Sequence, residues 1–321
     1  MLRNLSPSPH AWVDADIGPL EDAVLVRPQD DGALVLTVDF ITPSVDDPET
    51  FGAIAAANAL SDVYAMGGEP RVALAICGFP PERLPLAAVE RIFRGGRDLC
   101  ARAGCTVAGG HTLQSPQLEY GLCVLGSVPA DRALRQTRGR AGDRLVLTKP
   151  LGVGVLSAAH RERSLAEPAL SAWISTMTSL NRDAKDAALE AGVRAATDVT
   201  GFGLLGHLRN LCAASGLAAR IDARAVPVLD GALGFARQGT APGGSRRNAE
   251  SLAASVHYAE GVEPALRLLL ADAQTSGGLL LAVGAEREQA LVEGLRRRGA
   301  GSAVIGSLVA GPAGSIEVAA S

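Results

Sequence analysis

Lysine and aromatic residues are scarce in this chain of 321 residues. Only two lysines occur, Lys149 and Lys185, aromatic residues make up 3% of the sequence, and the net charge is −4. Proteins that bind nucleic acids or anionic membranes use clustered basic residues, and nucleic-acid binders add stacking aromatics. The composition therefore predicts no nucleic-acid partner, and it limits where a catalytic lysine could lie.

Disulfide pairs and long apolar runs are also missing from the pattern. The five cysteines are scattered, none forms a C-x-x-C pair, and most lie within apolar stretches. This usage is typical of reduced thiols in a cytoplasmic protein. No apolar run reaches the roughly 18 residues of a membrane span, and the first residues lack the apolar core of a signal peptide. We predict a cytoplasmic location and no membrane partner.

Strand-like and helix-like segments alternate along the chain, which predicts an α/β fold in two domains. Apolar residues make up 47% of the chain, so a sizeable core is expected. Strands are predicted at 23–27 and 33–41, followed by an Ala-rich helix that ends near Gly67. A polar, Arg/Gly-rich stretch marks a boundary, so residues 1–135 and 136–321 are predicted to form the two domains.

Four aspartates lie at strand ends or in the Ala-rich helix: Asp22, Asp39, Asp62 and Asp198. Asn58 and Asp62 are four residues apart and share one helix face. A carboxylate in such an apolar neighbourhood is costly unless it is paired or binds a metal ion. Oxygen ligands without a His or Cys cluster favour Mg²⁺ over zinc. The alternative, that Asp62 is solvated or bonds to Asn58, stays open.

A glycine string, Gly201, Gly203 and Gly206, matches G-x-G-x-x-G and is followed at some distance by Asp222. This pattern is shared with nicotinamide-dinucleotide sites. However, Asp198 lies three residues before the first glycine and would repel a pyrophosphate unless a cation intervenes. The string therefore favours a metal-bridged phosphate, and an NAD-dependent oxidoreductase remains the alternative.

Two further glycine segments are predicted to be irregular: a glycine turn in "AGGHT" (108–112) and a loop containing "PGGSRRN" (242–248). Their backbone N–H groups, with the arginines of the second string, are suited to bind phosphate, although simple tight turns are the alternative. His111 and His207 are expected to be structural. Lys149 is predicted either to reach a phosphate or to be solvated at a strand end.

Seven strings occur in an order and at spacings that identify a family: "TVDFITP", "NALSDVYAMGG", "AGGHT", "LTKPLGVGVL", "TDVTGFGLLGHL", "PGGSRRN" and "QTSGGLL". Together they resemble selenophosphate synthetase (selenide, water dikinase), which has the aminoimidazole ribonucleotide synthetase fold. The resemblance implies a two-domain α/β (α+β) protein. Its N-terminal domain would form a β-barrel across a homodimer, and its C-terminal α/β domain would pack against that domain.

The resemblance also implies a reaction and a set of site residues. ATP, selenide and water would give selenophosphate, AMP and orthophosphate, with Mg²⁺ as cofactor. The implied Mg²⁺ ligands are Asp22, Asp62 and Asp198. The implied nucleotide contacts are Pro19, Leu20, Glu21, Asp39, Asp62, Gly110, His111 and Thr112. Under this interpretation the three glycines after Asp198 pack a helix against a strand.

The sequence departs from the family at its N-terminal end. The family carries a reactive Cys or selenocysteine and a Lys there, whereas the first cysteine here is Cys77 and the first lysine is Lys149. No catalytic nucleophile is identifiable, and Pro19 has no N–H to donate. The expected explanation is a start placed downstream of a selenocysteine codon. The alternative is an ATP- and Mg²⁺-binding paralogue, either a weak ATPase or a nucleotide-binding scaffold.

Overall fold

The computed structural model describes residues 12–13, 21–29 and 32–320, and it contains two β-sheets with helices packed on them. The first sheet consists of β1 (Val24–Gln29), β2 (Gly32–Ile41), β3 (Glu69–Phe79), β4 (Thr106–Gln114) and β5 (Glu119–Val128). The second sheet consists of β6 (Arg144–Leu147), β7 (Ala195–Asp198), β8 (Ala218–Asp222), β9 (Val256–Tyr258), β10 (Leu279–Val283), β11 (Ala303–Val309) and β12 (Ile316–Ala319).

Ten α-helices connect and cover these strands within the described residues. In the first half they are α1 (Pro48–Ala65) and α2 (Leu86–Arg102). In the second half they are α3 (Val153–Arg161), α4 (Ala169–Thr178), α5 (Arg182–Glu190), α6 (Gly203–Ser215), α7 (Ala232–Arg237), α8 (Gly243–Leu252), α9 (Pro264–Leu270) and α10 (Glu288–Arg297). The α/β class predicted from the alternation of strands and helices is confirmed.

The first sheet has the order β1-β2-β5-β3-β4 and is antiparallel except for the β3–β4 pair. Side chains of a strand alternate between its two faces, and β2 shows this clearly. Val35 and Thr37 are buried, whereas Val38 and Phe40 are 57% and 50% exposed. One face of the sheet therefore packs against α1 and α2, and the other presents apolar side chains to the outside of the single chain.

The α1 and α2 helices cross with their backbones in contact. A Cβ atom on Gly52 would lie 1.9 Å from the carbonyl oxygen of Ile92, and one on Gly95 would lie 1.9 Å from that of Glu49. Only glycine leaves room for this approach. The contact fixes α1, and hence Asp62 in its last turn, against the sheet.

The second sheet has the order β7-β10-β6-β11-β8-β12-β9 and is mostly antiparallel, with parallel pairs on both sides of β12. Apolar residues of α6 pack with one set of strand residues, and those of α5 and α10 pack with another. The strand β7, which ends at Asp198, forms an edge of this sheet and lies against α1. That contact brings the two halves of the chain together.

Two local predictions were wrong. "AGGHT" is not a turn, because it continues through β4, where a Cβ on Gly110 would lie 2.0 Å from the carbonyl oxygen of Ala75 in β3. Its glycines serve close strand pairing. "PGGSRRN" is not a loop beyond Pro242, because α8 begins at Gly243 and is anchored by a hydrogen bond from Ser245 to buried Asp272 (2.7 Å).

Within the described ranges, every helix is too short or too polar to cross a bilayer. The domain boundary at 135/136 stays a prediction. It falls at the short 3₁₀ turn Gln136–Arg138, between the last strand of the first sheet and the first strand of the second.

We predict that Gly52→Ala and Gly95→Ala each lower the free energy of unfolding by about 1–3 kcal/mol, because the added methyl overpacks a backbone contact. Urea unfolding followed by circular dichroism measures the change. Gly234→Ala is the matched control, because its Cβ would meet open space in α7. It should be neutral or stabilising by up to about 1 kcal/mol. Unchanged unfolding of Gly52→Ala would contradict the close helix contact.

Candidate metal and nucleotide site

Four carboxylates from both halves of the chain meet where α1 lies against β7. Asp62 lies in the last turn of α1, and Asp198 is the last residue of β7. Asp22 lies two residues before the start of β1, and Asp39 lies near the end of β2. The chain thus gathers at one junction the four aspartates that the sequence singled out.

Asp22 is held by residues of the second half and of the connecting turn. Its Oδ1 accepts hydrogen bonds from Thr197 Oγ1 at 2.7 Å and from Gln136 Nε2 at 3.3 Å. The Glu21 carboxylate accepts the backbone N–H of Gln136 at 3.1 Å. These bonds fix the segment before β1 relative to β7.

Asp62 and Asp39 have separate partners. Thr37 Oγ1 donates to Asp62, and Asn58 Nδ2 donates to Asp39, each at 2.5 Å. The other end of the Asn58 amide accepts the backbone N–H of Ser276 at 2.7 Å. Asn58 therefore bonds Asp39 rather than Asp62, and it connects the first half to the turn before β10.

In the described part of the chain, Asp22, Asp198 and His207 form the one group of three His, Cys, Asp or Glu residues whose ligand atoms all lie within 4.8 Å of one another. Asp62 lies outside this group, but its charge interacts with both aspartates. One oxygen of Asp22 and one of Asp198 are buried without a hydrogen-bond partner. Buried carboxylate oxygens without partners are costly, so the oxygen donors at this junction fit a hard divalent cation.

Burial and mutual repulsion shift the pKa values of this cluster. The pKa values of Asp22 and Asp62 are raised well above the usual range, first by burial and then by the charge of Asp198. Burial also raises the pKa of Asp198 to about 6. A nearby cation would reverse these shifts by favouring the ionised carboxylates.

Lys149 is buried beside this cluster, and the solvated alternative for it was wrong. Its Nζ donates to the carbonyl oxygens of Ser179 at 2.8 Å and Ser276 at 2.7 Å. Burial lowers the pKa of Lys149 to about 7, although the charge of Asp198 favours the ammonium form. Lys149 thus anchors two loops near Asp198.

The remaining nucleotide candidates lie apart from the carboxylates in a single chain. Gly110, His111 and Thr112 are exposed on β4, and β5 and β3 separate this strand from β2. At about 4.8 Å per strand pair, that separation is roughly 14 Å. Pro19 and Leu20 lie outside the described residues.

The glycine string after β7 packs α6 onto the neighbouring turn. A Cβ on Gly203 would lie 2.6 Å from the carbonyl carbon of Ala271. Asp222 accepts the backbone N–H of Arg224 at 2.9 Å and so caps its own turn. These contacts agree with a packing role, and none favours the nicotinamide alternative.

The expectation that His207 is structural stays a prediction, because the ring is buried and hydrogen-bonded but also belongs to the group with Asp22 and Asp198. Its Nε2 accepts the backbone N–H of Thr200 at 3.1 Å, and burial lowers its pKa to about 4, so the ring is neutral at physiological pH. Its position beside two carboxylates was not foreseen.

Sequence reasoning missed several polar partners of the aspartates. Thr37 precedes Asp39 by two residues on β2, and this spacing on one strand face was a usable signal. Thr197 directly precedes Asp198, but nothing local indicated its bond to Asp22. Gln136, and the Asn181 amide that donates to Ser61 at 2.9 Å, carry no motif.

The two halves of the chain match the two domains of one protein family. Residues 20–128 match the N-terminal domain of AIR synthase related proteins, and residues 140–319 match their C-terminal domain. Fold and site thus define a two-domain protein of the AIR synthase class.

Curated relatives that cover nearly the whole chain identify the family within this class. The selenide, water dikinase of Burkholderia ambifaria is 46% identical over 315 residues, which cover 97% of this chain and 89% of that relative. That of Porphyromonas gingivalis is 45% identical over 299 residues, 93% of this chain and 85% of the relative. The chain belongs to the selenide, water dikinase family.

Solved structures share the fold at lower identity. Thiamine monophosphate kinase from Aquifex aeolicus superposes with a TM-score of 0.69 at 21% identity, covering 94% of this chain and 91% of that one. The hydrogenase maturation protein HypE in complex with ATP gives 0.69 at 23% identity, covering 95% and 88%. These structures support the AIR synthase-like fold.

We predict that Asp198 makes the apo protein less stable as pH rises from about 4 to 6. Between its unfolded pKa near 3.8 and its folded pKa of about 6, the native state binds more protons than the unfolded state, so stability falls with rising pH. Asp198→Asn should remove this contribution, at most about 3 kcal/mol at pH 7.5. Urea unfolding at pH 4.5 and 7.5 with EDTA measures it. Equal pH dependence in both proteins would contradict the prediction.

Proposed function

We propose that this protein is a selenide, water dikinase, which converts ATP, selenide and water into selenophosphate, AMP and orthophosphate. The observation that carries the proposal is the pair of unpartnered, buried carboxylate oxygens on Asp22 and Asp198, contributed by the two halves of a chain of this family. Phosphoryl transfer needs positioning and charge neutralisation more than covalent chemistry from the protein. Such a carboxylate pair suits that requirement.

Asp22, Asp62 and Asp198 would hold Mg²⁺, which supplies charge neutralisation for the phosphates when bound. The chain's own residues orient these ligands. Thr197 fixes Asp22, and Thr37 fixes Asp62. Both hydroxyls come from buried strand residues, so the ligands are preorganised before nucleotide binds.

The nucleotide would contact Asp39, Asp62 and the Gly110–Thr112 stretch of β4, together with the segment around Glu21. Gly110 keeps β4 close to β3, which leaves His111 and Thr112 exposed on the edge strand. Because β4 lies three strands from β2 in one chain, a second copy would help complete this site.

We propose a homodimer formed through the outer face of the first sheet. Apolar side chains exposed on this face include Leu36, Val38, Phe40, Val72, Leu74 and Leu113. A contiguous apolar surface of this kind is typical of protein–protein contacts. A second copy packed here would bury it and would pair two sheets into the barrel that the family resemblance implies.

The proposed division of labour places nucleotide binding and dimerisation in residues 1–135 and the second α/β layer in 136–321. The family matches at 20–128 and 140–319 support two units with this approximate boundary. A cytoplasmic location is also proposed, supported by five cysteines that are all free thiols.

A Mg²⁺- and ATP-binding protein without selenium chemistry is the second candidate. The observation that favours it is the carboxylate junction itself, which is suited to bind a cation and a nucleotide and requires no selenium chemistry to do so. The two candidates share the metal and nucleotide site and differ only in selenide-dependent turnover.

We predict that the purified chain binds ATP in a Mg²⁺-dependent manner, and that Asp62→Asn weakens this binding by about 10- to 100-fold, or ~1.4–2.7 kcal/mol. The amide lacks the negative charge that attracts the cation. Isothermal titration with a non-hydrolysable ATP analogue, with and without Mg²⁺, measures the effect. Asp131→Asn is the control, because Asp131 is exposed and outside the site.

Anaerobic formation of AMP, followed with and without selenide, separates the two candidates. Selenide-dependent AMP supports the dikinase. Mg²⁺-dependent ATP binding without selenide-dependent AMP supports the nucleotide-binding protein. If Asp62→Asn keeps both the ATP affinity and the turnover of the wild type, Asp62 is not part of the site.

We predict that Val38→Lys and Phe40→Lys, singly or together, convert a dimer into a monomer of about 32.8 kDa, because each places a charge on the proposed apolar interface. Size-exclusion chromatography with light scattering measures the mass. Leu86→Lys is the matched control, since Leu86 is 67% exposed at the start of α2, away from this face. A dimer that survives both sheet substitutions would show that the interface lies elsewhere.

A further inference from the structure

An exposed aromatic side chain lies directly beside the carboxylate cluster. Phe202 follows Asp198 by four residues, at the tip of the turn between β7 and α6, and it is 56% exposed. Single exposed apolar residues are common. This one is unusual because the turn that carries it is constrained from several directions.

Hydrogen bonds fix the turn on both sides of Phe202. The N–H of Gly203 donates to the carbonyl of Thr200 at 3.0 Å, and the N–H of Thr200 donates to His207 at 3.1 Å. From α8, Asn248 Nδ2 donates to the carbonyl of Gly201 at 2.9 Å. The backbone around Phe202 is therefore defined by bonds to two helices.

Glycines complete this arrangement. Gly203 has φ +69°, a left-handed conformation that favours glycine, and it lies against Ala271. A Cβ on Gly206 would lie 2.6 Å from Cβ of Phe202. The glycine string thus leaves room for Phe202 at the surface, where its ring adds little to the core.

The Phe202 ring lies beside the ring of His207, which in turn lies next to the carboxylate cluster. The two ring centroids are 5.7 Å apart, with an interplanar angle of 51°. The donor atom of His207 lies within 4.8 Å of those of Asp22 and Asp198. An aromatic wall, defined as Phe202 and His207, therefore leads from the buried carboxylates to solvent.

We propose that this aromatic wall is the binding subsite for the phosphoryl acceptor, a small polarisable chalcogenide anion such as hydrogenselenide. The inference rests on the proposed function and extends it to a named subsite. Carboxylates repel an anion, so the acceptor has to approach from a surface without negative charge. Ring edges carry partial positive charge, and chalcogen atoms make favourable contacts with them.

The wall also accounts for selectivity against water. In the proposed step, selenium of HSe⁻ forms a bond to the γ-phosphorus while the bond from phosphorus to the β,γ-bridging oxygen breaks. The products are HSePO₃²⁻ and ADP³⁻, and water would later hydrolyse ADP to AMP and orthophosphate. An apolar wall at the acceptor position disfavours water, which would otherwise take the γ-phosphoryl group before selenide does.

Anaerobic steady-state kinetics of Phe202→Ala test the subsite. We expect the KM for selenide to rise roughly three- to tenfold, which corresponds to about 0.7–1.4 kcal/mol, with the KM for ATP unchanged. Selenide-independent release of phosphate should increase. Phe202→Leu keeps apolar bulk but lacks the ring, so its KM for selenide should lie between those of the wild type and Phe202→Ala. Leu86→Ala is the control for loss of an exposed apolar side chain.

A direct structural readout does not depend on turnover. Crystals grown with Mg²⁺ and a non-hydrolysable ATP analogue, then soaked anaerobically with selenide, should show an anomalous selenium peak in contact with the rings of Phe202 and His207. The peak should be lost in Phe202→Ala crystals that still hold the nucleotide analogue.

The outcomes separate this inference from the proposed function. A wild-type protein that turns over selenide, with an unchanged selenide KM in Phe202→Ala and a selenium peak elsewhere, would overturn the subsite alone. A selenium peak at the wall in a protein without selenide-dependent AMP supports the subsite and refutes the dikinase activity of this chain. Absence of both the peak and the turnover overturns both.

Discussion

Repulsion among buried carboxylates is the constraint on which the rest of the structure depends. Asp22, Asp62 and Asp198 are brought together from distant parts of the chain. The charge of Asp198 raises the pKa of both other aspartates, and that of Asp62 raises the pKa of Asp22. Such a cluster opposes folding unless other contacts hold it. The apolar cores on the two sheets and the glycine contact between α1 and α2 hold these carboxylates in place, and hydroxyl groups from Thr37 and Thr197 orient the oxygens. The site is thus assembled at a cost that a bound cation would relieve.

Besides the bond from Thr197 to Asp22, amide side chains join the two halves near the site. Asn58 binds the turn at Ser276, and Asn181 binds Ser61 and the carbonyl of Gly277. Amides carry no net charge, so they add direction without adding a further charge to the cluster, and the bond from Asn58 also favours the ionised form of Asp39. The junction therefore separates two tasks: amides align the halves, and carboxylates remain available for ligands.

Regular elements with a strong local pattern were predictable. The strand predicted at 33–41 is β2 (Gly32–Ile41), and the Ala-rich composition of α1 predicted its end to within a few residues. Predictions failed where glycine has more than one use: in "AGGHT" it allows close strand pairing rather than a turn, because the neighbouring backbone of Ala75 decides the outcome. The aspartates of the candidate site were singled out by their positions at strand ends and in α1, and the family resemblance supplied their implied roles. Partners such as Gln136 were not, because contacts between residues more than a hundred positions apart leave no local pattern.

The two lysines of the chain are both buried, and their burial affects how the protein reacts with amine reagents. Lys149 is 8% exposed and Lys185 only 1%, so neither side-chain amine is open to solvent in the folded chain. Reagents that acylate or crosslink lysine ε-amines will find almost no target until the fold opens. The rate of lysine modification in this protein would therefore report how often the fold opens, and it would give little information about the surface of the folded chain.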